Sequence, residues 1–240
     1  MRTNPSAQEI IEYFANWDLD AESREYINAH AWRYQYLLEE IDELIQNNQI
    51  TNILDIGCAY QTELLRQIYP ELIVDTLGFE DVRFKTRHID KHIEYDLNQA
   101  QNKQYPQIGK YDLVIMAEVI EHLYTAPSLI FDFMYHIIAP AGFLIIQTPN
   151  AVGLPKRLKM LIGKHPFEML REDMKNPGHY REYTLSELIQ IGADQRFQVI
   201  SSSIKNDFRS HTTSNNLYNF VSHILPASLK RGITITYKKI

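Results

Sequence analysis

Residues 53–64 read Ile53-Leu54-Asp55-Ile56-Gly57-Cys58-Ala59-Tyr60-Gln61-Thr62-Glu63-Leu64, or ILDIGCAYQTEL. An apolar run carries an acid and a glycine follows at once, which is how many nucleotide-binding loops begin. Where GxGxG would complete such a loop, the chain has GCAYQ. Gly57 accepts backbone angles that side chains resist and lets a ligand come close. Ala59 adds only a methyl group, tolerable at negative φ. Gln61 is the larger departure, because a non-glycine residue at positive φ costs on the order of 1 kcal/mol. Tyr60 and Gln61 are both polar-tipped. They point to a loop re-formed with negative φ, the amide of Gln61 reaching either a bound carboxylate or a neighbouring strand end.

Outward from this loop, short apolar runs recur: NILDI (52–56), LIVDTLGF (72–79), HIEY (92–95), LVIM (113–116) and GFLIIQT (142–148). Helical stretches lie between them, TELLRQIY (62–69) and PSLIFDFMYHII (127–138). The alternation predicts an α/β fold, a doubly wound and mostly parallel sheet covered on both faces. FQVISSS (197–203) and ITITY (233–237) add two strands, with SNNLYNFVSHIL (214–225) as a helix between them. Thr184 with Glu187 forms a capping box, so a helix starts near Leu185. Residues 1–50 read as helix. Tyr34, Leu37, Leu38, Ile41, Leu44 and Ile45 share one helical face, and a shorter helix with Ile10, Ile11, Phe14 and Trp17 precedes a break near Asp18–Asp20. The expected organisation is a single domain over 1–240. It has a helical extension (1–50), a ligand-binding core (51–203) with a lid-like insertion at 149–182, and a C-terminal helix and strand (204–240).

The chain has 240 residues, 45% apolar and 22% charged, with a net charge of −6. That is an ordinary globular composition, and the acidic balance argues against nucleic acid as a partner. One cysteine, Cys58, excludes an internal disulfide and a multi-cysteine zinc site. No apolar run approaches a membrane span, and the first residues lack the apolar core of a secretory signal, so a cytoplasmic location is expected. Nothing in the sequence specifies an oligomeric state.

Ligands of doubly wound sheets sit beyond the C-terminal strand ends. There the chain places Asp55-Ile56-Gly57, Gly78-Phe79-Glu80, Asp96-Leu97-Asn98, Ala117 to Leu123 and Thr148-Pro149-Asn150. One acid after a strand is usually a cap; five polar elements in order are a ligand-binding edge. DIGCAYQ, GFE, YDLN, YDLVIMAEVIEHL and IIAPAGFLIIQTPN together resemble the ordered motifs of class I S-adenosylmethionine-dependent methyltransferases. EVIEHL with PAGFLIIQTPN, and GHYREYTLSEL (178–188), are similar to the small-molecule branch that includes ubiquinone-biosynthesis and sugar O-methyltransferases. The resemblance covers about residues 50–203. It implies a seven-stranded sheet with one reversed strand, which ITITY could supply, and S-adenosylmethionine as cofactor. It implies that Asp55 and the backbone of Gly57, Cys58 and Ala59 line the methionine end, and that Glu80 holds the ribose hydroxyls. Asp96 would accept from the adenine amino group, Leu97 would lie beside the ring, and the carbonyl of Ala117 would face the ammonium group. The alternative is a methyltransferase fold used only for binding or scaffolding.

Methyl transfer from a sulfonium needs alignment above all. A hydroxyl acceptor must also lose a proton, so a base helps. The candidates are His122, four residues after Glu118 on the same expected helical face, and His179, with Arg181 and Tyr183 nearby for polar groups. No dense carboxylate cluster in the later loops calls for a metal. The segment 154–164, LPKRLKMLIGK, reads first as a lid over the site and second as a basic amphipathic helix making weak contact with a membrane surface. Trp17, Tyr26, Trp32, Tyr34 and Tyr36 either cover the acceptor pocket or pack the core. From the family likeness the acceptor is a small molecule, a sugar or glycan-precursor hydroxyl first and a quinone or phenol precursor second.

Overall fold

A computed structural model describes residues 4–81, 83–84, 86–173, 177–208 and 224–240. The expected helix at 214–225 lies almost wholly outside the described residues. In chain order the elements are α1 (Ala7–Ala15), α2 (Ala21–Asn47), β1 (Asn52–Ile56), α3 (Tyr60–Ile68), β2 (Ile73–Gly78), β3 (His92–Glu94), β4 (Tyr111–Ala117), α4 (Pro127–Ile137), β5 (Ile138–Pro149), α5 (Leu154–Leu161), α6 (Leu185–Asp194), β6 (Phe197–Lys205) and β7 (Gly232–Lys239). The seven strands form one sheet in the order β3-β2-β1-β4-β5-β7-β6. Only β7 runs against its neighbours, as ITITY implied. The register sets Ile56 beside Leu77 and Met116, and Ala117 beside Gln147, so the ends of β1, β2, β4 and β5 form one rim.

The sheet separates two cores. On one face, α1 and α2 pack with α3 against β1 and β4. Ser6 and Asp20 cap these two helices, and the chain between them turns where the break was expected. Phe14, Tyr34, Leu37, Leu38 and Ile41 are fully buried there. Each such side chain contributes roughly 1.5–3 kcal/mol on burial, so the N-terminal helices are part of the core rather than an appendage. Two charged residues of α2, Arg33 and Asp42, are buried as well. Asp42 is satisfied by the Tyr69 hydroxyl at 2.9 Å. Arg33 points toward the rim.

On the other face α4 and α6 cover β4, β5 and β7. The capping box of Thr184 and Glu187 forms as the sequence predicts. β5 is longer than expected because Ile138 pairs with Tyr111 directly after α4, which leaves no loop between helix and strand. Gly192 of α6 faces Tyr237, whose hydroxyl is held by the Leu188 carbonyl at 2.9 Å. A Cβ at Gly192 would come within 2.3 Å of that ring. Overpacking of this kind costs about 1–3 kcal/mol. Gly192→Ala is therefore expected to lower the unfolding free energy by that amount, read as a lower urea midpoint with the slope unchanged; a wild-type midpoint would show that the ring moves freely.

Candidate active site

The opening loop answers its own question. Gly57 takes φ +79, while Ala59 is extended at φ −154 and Gln61 lies inside α3. The loop has re-formed with ordinary angles, and the helix begins at Tyr60, earlier than the pattern suggested. Asp55 is fully buried beneath it. The Thr62 hydroxyl donates to its carboxyl at 2.5 Å and accepts from the Ala59 amide at 3.0 Å, which pins the turn. Burial pushes the Asp55 carboxyl up to about 7, opposed by the Thr62 hydroxyl and the Gln61 amide. Burial likewise raises the Cys58 thiol to about 11, so it is inert at neutral pH. Gln61 is buried against the strand end and lines neither cleft described below. Gln61→Gly should thus cost about 1–2 kcal/mol through helix propensity and lost packing, with cofactor affinity unchanged. A gain in both stability and affinity would contradict this geometry.

Above the rim lie two clefts of about 510 Å³ each, in the size range of small-molecule sites. The first is lined by Gly57, Gly78, Phe79, Asp96, Leu97 and Asn98, with Tyr124 and Tyr180 at its mouth. A Cβ at Gly57 would come to 3.1 Å from Val119 and would sit at a left-handed φ, so only glycine keeps this wall. Asp96 caps the turn after β3 by accepting from Asn98 at 2.9 Å. Of the expected cofactor residues, Gly57, Asp96 and Leu97 line this cleft. Asp55, Cys58, Ala59, Ala117 and Glu80 do not line it: Asp55 is buried beneath the loop, Ala117 directly precedes the lining residue Glu118, and Glu80 is exposed just beyond Phe79.

Glu118 and His122 form the partition and line both clefts. They do not share a helix face. Glu118 takes φ +56, and Ile120–His122 is a single 3-10 turn. That bend, not helical periodicity, puts both side chains on the partition. Burial raises the Glu118 carboxyl, opposed by the charges of Arg33 and Lys156.

The second cleft gathers residues from distant parts of the chain: Tyr26, His30 and Arg33 of α2, Lys156 of α5, His179, Glu182 and Asp207. Tyr26 stacks on His30 with ring centroids 4.1 Å apart, and Phe208 meets His30 edge-on at 5.1 Å. Of the N-terminal aromatics only Tyr26 lines the cleft; Tyr34 is core. Arg181 and Tyr183 do not reach it. Arg181 pairs with Glu187 at 2.6 Å, and Tyr183 is buried. Asp207 has its carboxylate where a Cβ at residue 232 would stand, so Gly232 is required for it to face the cleft. Burial, then Glu118, pushes its carboxyl up to about 7.

The two expected histidines meet edge-to-face at 4.8 Å. His122 Nδ1 lies 2.9 Å from the Gly178 carbonyl, which can only accept, so Nδ1 carries the proton. Burial lowers both imidazoles, His179 to about 4, and keeps them neutral near pH 7. Glu121 is buried below them and accepts from the Thr148 hydroxyl at 2.9 Å. Burial, then the neighbouring Glu118, holds its carboxyl far above the usual range. One polar atom each from Glu121, His122 and His179 lies within 4.8 Å of the others, a group that the sequence reading, which expected no metal, did not assemble.

The methyltransferase-domain family model matches residues 29–202. The chain belongs to that family. Together with the strand order, this makes it a class I S-adenosylmethionine-dependent methyltransferase. The methyltransferase is 27% identical over 187 residues to the ubiquinone biosynthesis O-methyltransferase of Rickettsia felis, covering 76% of this chain and 75% of that protein. It is 26% identical over 164 residues to the enzyme of the same name from Shewanella halifaxensis, covering 62% and 67%. Among solved structures it is similar to the N-methyltransferase NodS of Bradyrhizobium japonicum in complex with S-adenosyl-L-homocysteine, with a TM-score of 0.54, 12% identity and coverage of 98% and 99%. It is also similar to a SAM-dependent methyltransferase of Archaeoglobus fulgidus, with a TM-score of 0.55, 16% identity and coverage of 86% and 94%. These likenesses show the fold. The cleft residues of the methyltransferase fit its cofactor on one further ground: Arg33 is buried, lines the second cleft beside the partition, and its Nη1 has no hydrogen-bond partner among the described residues. A desolvated cation of that kind is suited to a carboxylate.

Proposed function

We propose that this methyltransferase transfers a methyl group to a hydroxyl of a small acceptor held in the second cleft, with His179 taking the hydroxyl proton. The observation that carries the reading is a neutral, oriented imidazole pair where two clefts share a wall. S-adenosylmethionine supplies an electrophilic methyl group on a sulfonium. Arg33 would hold its carboxylate, Asp55 shapes the Gly57–Ala59 loop, the Ala117 carbonyl would face its ammonium group, and Asp96 and Leu97 would flank the adenine. Glu80 would hold the ribose hydroxyls from the rim. Alignment of donor and acceptor across the partition lowers the barrier most, and His179, with His122 beside it, removes the proton in place.

The names of the relatives favour a phenolic hydroxyl on a lipid-tailed ring over a glycan hydroxyl. The surface beside the cleft supports this. α5 buries none of its residues, and Leu161 and Ile162 are 80% and 68% exposed. Arg157, Lys159 and Lys164 surround them, a composition suited to weak binding at an anionic membrane. The N-terminal end of the same helix, Pro155 and Lys156, lines the acceptor cleft. No helix among the described residues is long and apolar enough to cross a membrane.

Titration calorimetry with S-adenosylhomocysteine is expected to give micromolar affinity, on the order of −8 kcal/mol. Transfer of labelled methyl from S-adenosylmethionine is expected to prefer a catechol-type acceptor in phosphatidylglycerol vesicles to a sugar nucleotide. Binding undetectable at millimolar ligand would leave only a scaffold role. Preference for the sugar nucleotide would reverse the choice of acceptor.

A further inference from the structure

Resting on the reading of His179 as proton acceptor, the structure says what aims it. His179 Nδ1 lies 2.9 Å from Glu182 Oε1. The Glu182 side chain is 5% exposed, and its other oxygen, Oε2, is bound by the Lys156 ammonium. Lys156 also donates to the Asn150 carbonyl at 3.0 Å. An ammonium has donors only, so the ion pair keeps both oxygens of Glu182 as acceptors. Nδ1 of His179 must then be the donor, and the lone pair lies on Nε2 at the opposite edge of the ring. A base can take a proton only from a bare nitrogen, so the wrong tautomer would disable it without moving an atom. The other charged or titratable groups around His179 are His122 beside it, Glu121 below it, and Glu168 and Arg171 from the loop after α5.

We propose that Glu182 is a positioning residue that locks His179 in the Nδ1–H tautomer, and that Lys156 of α5 dictates the orientation in which Glu182 is read. α5 buries no residue of its own, and through Lys156 it shares the Glu182 carboxylate with the base. Seating of α5 and arming of the base are thereby linked.

The arrangement makes an unusual forecast for an isosteric change. In Glu182→Gln the amide oxygen must turn to Lys156, which offers only donors. The amide nitrogen then faces His179 Nδ1 and donates to it, driving the proton to Nε2. In the double variant E182Q/K156M the ammonium is gone, either end of the amide can face His179, and the Nδ1–H form is populated again beside the Nε2–H form. Two-bond ¹H–¹⁵N spectra of ¹⁵N-histidine-labelled protein read the tautomer directly, and the spectrum of His179→Gln assigns the signal. The expected series is Nδ1–H in the wild type, Nε2–H in E182Q and Nδ1–H partly restored in E182Q/K156M. A wild-type His179 protonated on Nε2, or single and double variants with the same tautomer, would overturn the proposal. A residue that merely supported the fold would not give loss followed by rescue. The spectra need neither acceptor nor cofactor, so they stand or fall separately from the transfer reaction.

Discussion

Arg33→Met is expected to weaken S-adenosylhomocysteine binding by about 2–4 kcal/mol, roughly 30- to 1,000-fold, the usual effect of truncating one member of a buried charge pair. Arg33 is 3% exposed and stacks over Tyr34, its guanidinium carbon 4.6 Å from the ring centre. Its Nε donates to His30 Nδ1 at 3.3 Å, which leaves Nη1 for a ligand. Burial and Arg33 together lower the His30 imidazole to about 3, so His30 is a neutral acceptor and competes for no anion. The fold should survive the substitution. Asp55, Glu118, Glu121 and Asp207, the acids that sense Arg33, are all already shifted toward protonation and can stay neutral without it. Arg33→Lys should recover part of the loss, because charge remains and the fork geometry does not. Calorimetry with unchanged affinity in Arg33→Met would place the cofactor's carboxylate elsewhere.

His179→Asn is expected to lower the rate of methyl transfer about 10²- to 10⁴-fold, the range for loss of a positioned base, while cofactor affinity holds. The pH dependence follows from the lowered imidazole. His179 must be neutral to accept a proton, and its value near 4 keeps it neutral through the physiological range. The wild-type rate should therefore stay level from pH 8 down to about 5 and fall below that as the ring charges. An ordinary histidine would begin to lose activity near 6.5. A profile falling at 6.5, or a loss under tenfold in His179→Asn, would move the base to His122 or to solvent.

The sheet was legible because each strand is a short apolar run and each crossover a helical repeat, so local pattern and global topology agree. Asp96 and Gly57 were legible as cleft residues for a related reason: both stand within two residues of a strand end, where topology alone puts the ligand. The rest depends on side-chain direction. That the opening loop settles at ordinary angles was legible in GCAYQ, but that Thr62 and Asp55 pin it was not. The positive φ of Glu118 cannot be read from EVIEH, and it breaks the helical spacing used to relate Glu118 to His122. Arg33 and Asp207 gave no local signal at all. Each is an ordinary charged residue in its own segment, and only the packing of α2 on the rim and the bare Cα of Gly232 turn them inward. Lys156 was visible as one cation of a basic helix. That it faces Glu182 while its neighbours face solvent is a matter of how α5 is laid down.

The second cleft takes residues from Tyr26 near one end of the chain to Gly232 near the other. A ligand seated there acts as a clasp closing the chain on itself, and it binds only the folded form. Occupancy at 100 times the dissociation constant adds about 2.7 kcal/mol to the folding free energy. A cell short of the acceptor would hold more of this protein in transiently opened forms, which proteases remove. Its abundance would follow the supply of its own acceptor, with no dedicated sensor.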